Sequence, residues 1–546
     1  MIHTKKLPKA DAAYAYPLLI KRILEQSLKY EPNREIIYRD LTRYNYFELN
    51  KKVRRLANML GSLGIKGGDT VAVIDYDSTR YLESFFAIPM IGAVLHTVNY
   101  RLSPEQVLYT INHAEDDVIF VHRDFLPIIE GIQDKITTVK KYVVLTDDGE
   151  IPETTVPIAG EYEDLLKQES DEYNFPDFDE DAIATTFYTT GTTGNPKGVY
   201  FTHRQLVLHT FAGAVTFGSF DAQCSFRSND VYMPITPMFH VHAWGIPYLA
   251  TMLGVKQVYP GRYEPEMLLK LLLTEKVTFS HCVPTILHML VSSPAIKNYD
   301  LTNWKVVIGG AVMPSALAKA ALELGIDVIT GYGMSETCPI LSLTYLNTNH
   351  NLSIDEQVAL RTKAGVPAPF VEMKIIDANG KSMPHDGESV GEVVVRTPWL
   401  TQGYFKEPEK GDILWEDGYL HTGDVGALNN ENFLKISDRI KDVIKTGGEW
   451  VSSVDLEDLI GKYEAVSEVA VVGIPDEKWT ERPHAMIVLK EGQTANTADI
   501  QAFLQQFVES GKISKYTVPE SIDFAAAIPK TSVGKIDKKK IRIDLK

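Results

Sequence analysis

The chain has 546 residues, 44% of them hydrophobic and 23% charged, and its 55 basic and 72 acidic side chains leave a net charge of −17 at neutral pH. That length exceeds what one core usually serves, the composition is that of an ordinary globular protein, and the charge repels nucleic acid and anionic membranes. Cys224, Cys282 and Cys338 are widely spaced with no CxxC pair, which argues against a disulfide framework or a zinc site and fits a reducing, intracellular setting. No apolar run reaches the ~18 residues of a membrane span, and the patch at 16–20 is too brief for a signal-peptide core.

In chain order, the hydrophobic pattern predicts a helix over 46–63, a strand over 70–74, a helix over 80–88 and a strand over 93–97. Short apolar runs at 118–121, 142–145, 277–282, 305–308 and 327–329 read as strands buried on both faces. This is α/β wiring. Ligands collect at the carboxyl ends of such strands, so IGGA at 308–311 and ITGYG at 329–333, expected as turns, are candidate site walls. From about residue 371 the texture changes to β-rich stretches, with strands expected at 391–396 and 433–436 and turns at Asp386-Gly387 and Asp417-Gly418, as in a small β subdomain. The residues after 438–442 read as a separate α/β domain. Its basic end, 529–546, has the composition of a solvated tail, except that Gly534-Lys535 sits in a Gly/Ser/Thr turn.

The most informative segment is YTTGTTGNPKG, residues 188–198. Its glycines let backbone N–H groups converge on an anion, Thr189, Thr190, Thr192 and Thr193 add hydroxyl donors, and Lys197 adds a mobile positive charge. It is not a Walker A loop, because Pro196 stands where that motif requires its second glycine. Glu336 could merely begin a helix before Pro339, the lesser of its readings. Asp424, in a Gly-Asp turn, is a weak signal by itself.

Together with GYGMSET (331–337), YLHTGD (419–424), DRIKD (438–442) and PKTSVGK (529–535), that segment resembles the adenylate-forming superfamily of acyl-CoA synthetases, luciferases and peptide-synthetase adenylation domains. MFHVHAWG (238–245) and TGGEWVSS (446–453) are similar to its medium- and long-chain fatty acyl-CoA synthetase branch. The resemblance spans nearly the whole chain. It implies an α/β fold with a large N-terminal domain, 1–438, built from two α/β sheets and a small β subdomain, and a small mobile α/β C-terminal domain, 439–546. It also implies a cytoplasmic ligase in which a carboxylate attacks the α-phosphate of MgATP to give acyl-AMP and pyrophosphate, and the thiol of CoA then displaces AMP. The partners are then the acid, ATP and CoA, with Mg2+ as cofactor, no nucleic acid or integral membrane association, and dimers common among relatives.

By the same resemblance, Thr189, Thr190, Gly191, Thr192, Thr193 and Gly194 wrap the outer phosphates, with Lys197 as counter-charge and with Thr189 and Glu336 at the metal. Gly309, Gly310 and Ala311 face Thr330, Gly331 and Gly333 across the adenine and acyl chain. Tyr332 stacks on adenine, and Ser335, where the family usually has threonine, donates to the α-phosphate. Asp424 takes the ribose hydroxyls, Arg439 the ribose and phosphate, and Lys535 bridges the attacking carboxylate and the α-phosphate. Lys441 is the hinge, and Lys445, Gly447 and Gly448 serve the CoA step. His240, Val241, Trp244 and Gly245 are expected at the acyl pocket, with Trp450 as its lid. The competing readings are an aryl-, alicyclic- or short-chain ligase, a luciferase-like oxygenase or a carrier-protein adenylating enzyme on the same fold, and a nucleotide-binding module without chemistry. Lys197, Glu336, Asp424 and Lys535 together argue against the last. The preferred acid is expected to be a medium- to long-chain fatty acid, although the pattern does not set its length.

Overall fold

The computed structural model describes residues 8–189, 195–219, 224–346, 352–446, 449–532 and 534–545. Two large sheets dominate the architecture. The 7-stranded sheet runs, in spatial order, Ile158–Glu161, Lys141–Leu145, Asp116–His122, Thr70–Ile74, Val94–Thr97 and Ile183–Thr189, all parallel, and then Lys197–Thr202, which is antiparallel. The 9-stranded sheet is built around a parallel block of Asp327–Gly333, Lys305–Ile308, Phe279–Cys282, Val231–Pro234, Lys256–Tyr259 and Glu35–Tyr38. Every residue of Thr70–Ile74 and of Phe279–Cys282 is buried, as expected of strands covered on both faces.

Local chemistry explains the helices that pack on these sheets. In Tyr46–Ser62 the buried residues Leu49, Val53, Leu56 and Leu60 recur at helical spacing, and the Asn45 side chain accepts the backbone N–H of Glu48 as a cap. Thr79–Met90 is buried all round and starts where Ser78 accepts the N–H of Tyr81 at 3.1 Å. It outruns the 80–88 read from sequence at both ends, with Pro89 in its last turn.

The segment at 329–333 corrects an expectation. It is not a turn after a strand, because the strand continues to Gly333, where Gly331 and Tyr332 pair antiparallel with Leu343 and Ser342 of Ile340–Leu343. The pairing partner lies beyond the motif and leaves no mark on its composition. Likewise, the helix that Glu336 could have begun is only a short 3-10 turn, Ser335–Thr337.

The expected β subdomain is a 5-stranded antiparallel sheet containing Glu372–Ile376, Gly391–Arg396, Trp415–Glu416, Tyr419–Leu428 and Leu434–Arg439. Asp417 and Gly418, at φ 51° and 76°, make the two-residue turn that joins Glu416 to its cross-strand partner Tyr419. The other 5-stranded sheet contains Ile444–Thr446, Glu449–Val451, Val466–Asp476, Thr480–Leu489 and Ser521–Phe524, and its own core gathers Leu456, Ile460, Val471, Ile487 and Leu504. The basic end is no loose tail. Lys538 opens the helix Lys538–Asp544 with its ammonium 2.8 Å from Glu457, and Arg542 lies 2.8 Å from Asp442. Among the described residues, no helix is long and apolar enough to cross a membrane.

Asp77 ties the two large sheets together. Its backbone bridges Gly261, and its buried carboxylate accepts the N–H of Met238 at 2.8 Å and the hydroxyl of Tyr263 at 2.5 Å. Burial pushes its pKa up to about 7, so the folded chain keeps this proton where the unfolded chain, titrating near ~3.9, has lost it. Stability contributed here therefore falls as pH rises between those values and levels off above them. Asp77→Asn, which keeps the shape and cannot ionise, is expected to gain stability relative to the parent between about pH 5 and 8 and to hold a constant difference above that. Urea denaturation across the range checks this, and a pH-independent difference would contradict it.

Candidate functional site

The carboxyl ends of strands from both large sheets open into one cavity of about 1150 Å³. Its walls include Thr189 and Lys197, the segments 309–311 and 330–333, Ser335 and Glu336, Asp424, Arg439 and Lys441, and, from the opposite side, Lys535.

At one end, strand register brings Thr189 opposite Lys197. The Lys197 ammonium lies 4.5 Å from the ring centroid of Tyr404, and the Tyr404 hydroxyl donates to Glu336 Oε1 at 2.8 Å. Tyr404 is anchored to the same hairpin by its bridge to Val199, and Phe405 N–H donates to Gly198 O at 2.8 Å. One aromatic side chain thus sits between a cation and a carboxylate that are far apart in sequence. Thr190, Gly191, Thr192, Thr193 and Gly194 lie outside the described residues.

Next to this, Asp424 faces Arg439 across two strands, with Oδ1 3.0 Å from Arg439 Nε, while Oδ2 accepts the Tyr332 hydroxyl at 2.8 Å. The Asp424 charge raises the pKa of Arg439, and the carboxylate retains lone pairs for further donors. The buried Thr330 hydroxyl, on the cavity wall, has no hydrogen-bond partner among the described residues.

Lys535 enters across Gly310. That glycine stands at φ +77°, and a Cβ there would come within 3.1 Å of Lys535 Cε, so the lysine lies where a side chain would otherwise be. Burial lowers the Lys535 pKa to about 8, the neighbouring charges of Arg439 and Lys441 push the same way, and Asp424 and Glu336 oppose them. Burial also lowers the pKa of Lys441.

The third part of the cavity is lined by Phe217, Trp244, Ile246, Phe279, Val307 and Leu343. His240 and Val241 line it too, whereas Gly245 does not: the imidazole of His209 fills the place of its Cβ at 2.8 Å. The backbone here is a finding that sequence reasoning missed. Val241, His242, Ala243, Trp244 and Gly245 stand at φ 49°, 55°, 47°, 60° and 72°, a left-handed turn that costs roughly 1–2 kcal/mol per non-glycine residue. Only Gly245 carried a signal for it. Trp244 packs on His281 with ring centroids 4.9 Å apart, and His281 is bracketed by the Tyr232 hydroxyl at Nε2 (2.8 Å) and Thr236 Oγ1 at Nδ1 (3.1 Å). Burial takes both His240 and His281 down to about 3, so these walls are neutral.

Lys445 is outside the cavity lining, on the Ile444–Thr446 strand, paired with Trp450 of the neighbouring strand. The Trp450 side chain, Gly447 and Gly448 lie outside the described residues. Tyr404, Phe217, Phe279 and His281 were not singled out from sequence. Each sits in an ordinary helix, strand or loop context that gives no local sign of a site.

A model of the AMP-binding enzyme family matches residues 24–405, and the model of its C-terminal domain matches residues 455–535. The chain belongs to this adenylate-forming family, and within it to the AMP-forming acyl-CoA ligases, which join an acid to a thiol with ATP. It is 38% identical over 527 residues to a long-chain fatty acid–CoA ligase of Thermus thermophilus, covering 95% of this chain and 94% of that one. It is 37% identical to a 3-methylmercaptopropionyl-CoA ligase of Ruegeria lacuscaerulensis, covering 97% and 98%. Its fold is similar to the crystal structure of an anthranilate CoA ligase in complex with anthranoyl-AMP, with a TM-score of 0.85 at 25% identity over 97% of this chain and 98% of that one.

Lys535 is expected to titrate near pH 8 rather than near the ordinary ~10.4 of lysine, ammonium below and amine above. Asp424→Asn removes an anion that favours the ammonium, so the midpoint falls further. Carbon-13 NMR of reductively methylated lysines reads both midpoints, and an ordinary value for Lys535 would contradict the burial.

Proposed function

We propose that the chain is a fatty acyl-CoA synthetase for medium- to long-chain acids, and the observation that carries this reading is a single cavity in which an ammonium partly stripped of water, Lys535, stands between a polar half and a neutral apolar half. In the first step the acid's carboxylate oxygen bonds to the α-phosphorus of ATP, and the α–β phosphoanhydride breaks to release pyrophosphate. In the second the CoA thiolate sulfur bonds to the acyl carbon, and AMP leaves with the carbonyl–phosphate electron pair.

Lys535 suits the first step because a cation between two approaching anions reduces their repulsion, and more so where water is excluded. Thr189 and Lys197, with the loop they flank, would take the outer phosphates. Asp424 and Arg439 would hold the ribose, Tyr332 and the walls at 309–311 and 330–333 the adenine, and Ser335 the α-phosphate. Glu336 and the Thr189 hydroxyl fit Mg2+, which prefers oxygen ligands and is commonly held by one or two carboxylates plus substrate phosphates. Bound there, Mg2+ would neutralise phosphate charge. Tyr404 would keep Glu336 aimed at that point and Lys197 close by. Residues 1–438 and 439–546 would move as two bodies about Lys441, exchanging Lys535 for Lys445, Gly447 and Gly448 in the thioester step. We place the protein in the cytoplasm, which its three free, buried cysteines suit.

The acyl end favours an uncharged tail, since His240 and His281 stay neutral and the remaining walls are apolar. Pyrophosphate release is therefore expected with straight-chain monocarboxylic acids between hexanoate and octadecanoate, with CoA required for rapid AMP release. Dicarboxylic acids of equal length should be at least ~100-fold poorer, because an unpaired buried charge is costly. Lys535→Ala should slow acyl-AMP formation by about 100-fold or more. A preference for dicarboxylic or aromatic acids, or full activity of Lys535→Ala, would defeat this reading.

Each bound methylene contributes about 0.8 kcal/mol, so acid length against kcat/KM acts as a ruler for the apolar lobe. Trp244→Ala is expected to shift the preferred length by two or more carbons while leaving the KM for ATP within about threefold. An unchanged length profile would remove Trp244 from the acyl wall.

A further inference from the structure

The loop that carries Lys535 is gripped from the large body by three side-chain donors. Asn99 Nδ2 donates to Ser532 Oγ at 3.1 Å, Arg101 Nη1 donates to the Ser532 carbonyl at 3.0 Å, and Thr285 Oγ1 donates to the Gly534 carbonyl at 3.1 Å. The three come from different places. Asn99 and Arg101 follow the strand Val94–Thr97 of one large sheet, and Thr285 is in the first turn of Pro284–Val291, just past the strand Phe279–Cys282 of the other. They converge on the residues three before and one before Lys535.

Two of the donors are also held by contacts within the large body. Asn99 Oδ1 accepts the N–H of Arg101 at 3.0 Å, which leaves its amide N–H groups aimed outward. The Arg101 guanidinium lies 5.6 Å from the ring centroid of Tyr100 and 5.9 Å from that of Phe239, and Tyr100 is itself stacked on Phe125 at 4.2 Å. The polarity is one-sided, with donors on the large body and two backbone carbonyls and a hydroxyl on the loop. Discrimination therefore rests with Asn99, Arg101 and Thr285. Arg101 is exposed and Thr285 half-buried at the cleft margin, so water can replace their bonds when the loop leaves. Bonds of that kind bias an arrangement without locking it. Ser315, whose N–H and hydroxyl donate to Asp458 Oδ1 at 3.0 and 2.7 Å, makes a separate tie remote in sequence from the Lys535 loop.

We propose that Asn99, Arg101 and Thr285 form a latch of positioning residues that selects the arrangement placing Lys535 in the cavity, and so govern acyl-AMP formation and not thioester formation. This rests on the reading of Lys535 and of the moving C-terminal body given under Proposed function. None of the three needs to touch the reacting atoms, and their effect is on how often Lys535 is in place.

The test is the two half-reactions measured separately on the full chain. For Arg101→Ala/Thr285→Val, single-turnover acyl-AMP formation is expected to slow by about tenfold or more, while conversion of supplied acyl-AMP with CoA stays within about twofold. Arg101→Lys/Thr285→Ser, which restores a donor at each position, should recover most of the first rate. Thr285→Val alone, nearly isosteric, should show a smaller loss of the same kind and guards against a folding defect in the double variant. Equal slowing of both half-reactions, or no recovery in the donor-restoring variant, would overturn the latch. Lys535→Ala, run alongside, separates the two failures. If it does not slow acyl-AMP formation, the reading of Lys535 falls and the latch with it; if it does and the double variant does not, only the latch falls.

Discussion

The arrangement depends on bringing an ammonium into a cleft that strips it of water without burying it beyond use. Lys535 meets that constraint because Gly310 has no side chain to occupy the space, and because Asp424 and Glu336 stand near enough to keep the charged form accessible. Arg439 and Lys441 act in the opposite direction, and the balance leaves the amine poised close to neutrality. The lysine comes from the C-terminal part of the chain, whereas Gly310 and Glu336 follow strands of the 9-stranded sheet and Asp424 and Arg439 stand on strands of the β subdomain.

A second constraint acts where the apolar lobe is formed. A left-handed turn over Val241, His242, Ala243 and Trp244 is intrinsically unfavourable, and both ring nitrogens of His242 are buried without a partner among the described residues. The surroundings offset those costs. Val241, His242, Ala243 and Trp244 are all buried, Asp77 holds the N–H of Met238 upstream, and Thr97 donates to the Phe239 carbonyl at 2.9 Å. Strain of this sort persists where packing over-determines the backbone. Here it turns His240, Val241 and Trp244 towards one cavity instead of letting the chain run on into Ile246–Leu253.

The polar half relies on register instead. Thr189 lies opposite Lys197, and Asp424 opposite Arg439, because antiparallel pairing sets them there, and Tyr332 reaches Asp424 only because its strand runs on past the expected turn. Tyr404 completes the set by linking Lys197 to Glu336. A cross-strand partner is specified by pleat and turn geometry, so a shift of one residue would send each of these groups to the opposite face.

The sequence by itself determined the elements whose causes are local: the capped amphipathic helix at 46–62, the apolar strands, the Asp417-Gly418 turn and the motifs that marked the family. Through the family resemblance it also named Thr189, Lys197, Glu336, Asp424, Arg439 and Lys535, all of which line the cavity. Only the tertiary structure decided where the strand through Tyr332 ends, how the turn at 241–245 is wound, that Gly245 faces His209, and that Tyr404, Asn99, Arg101 and Thr285 belong near the site. In each of those cases the cause is a partner distant in the chain or a cost met by burial, and neither is written in the residues next to the position concerned.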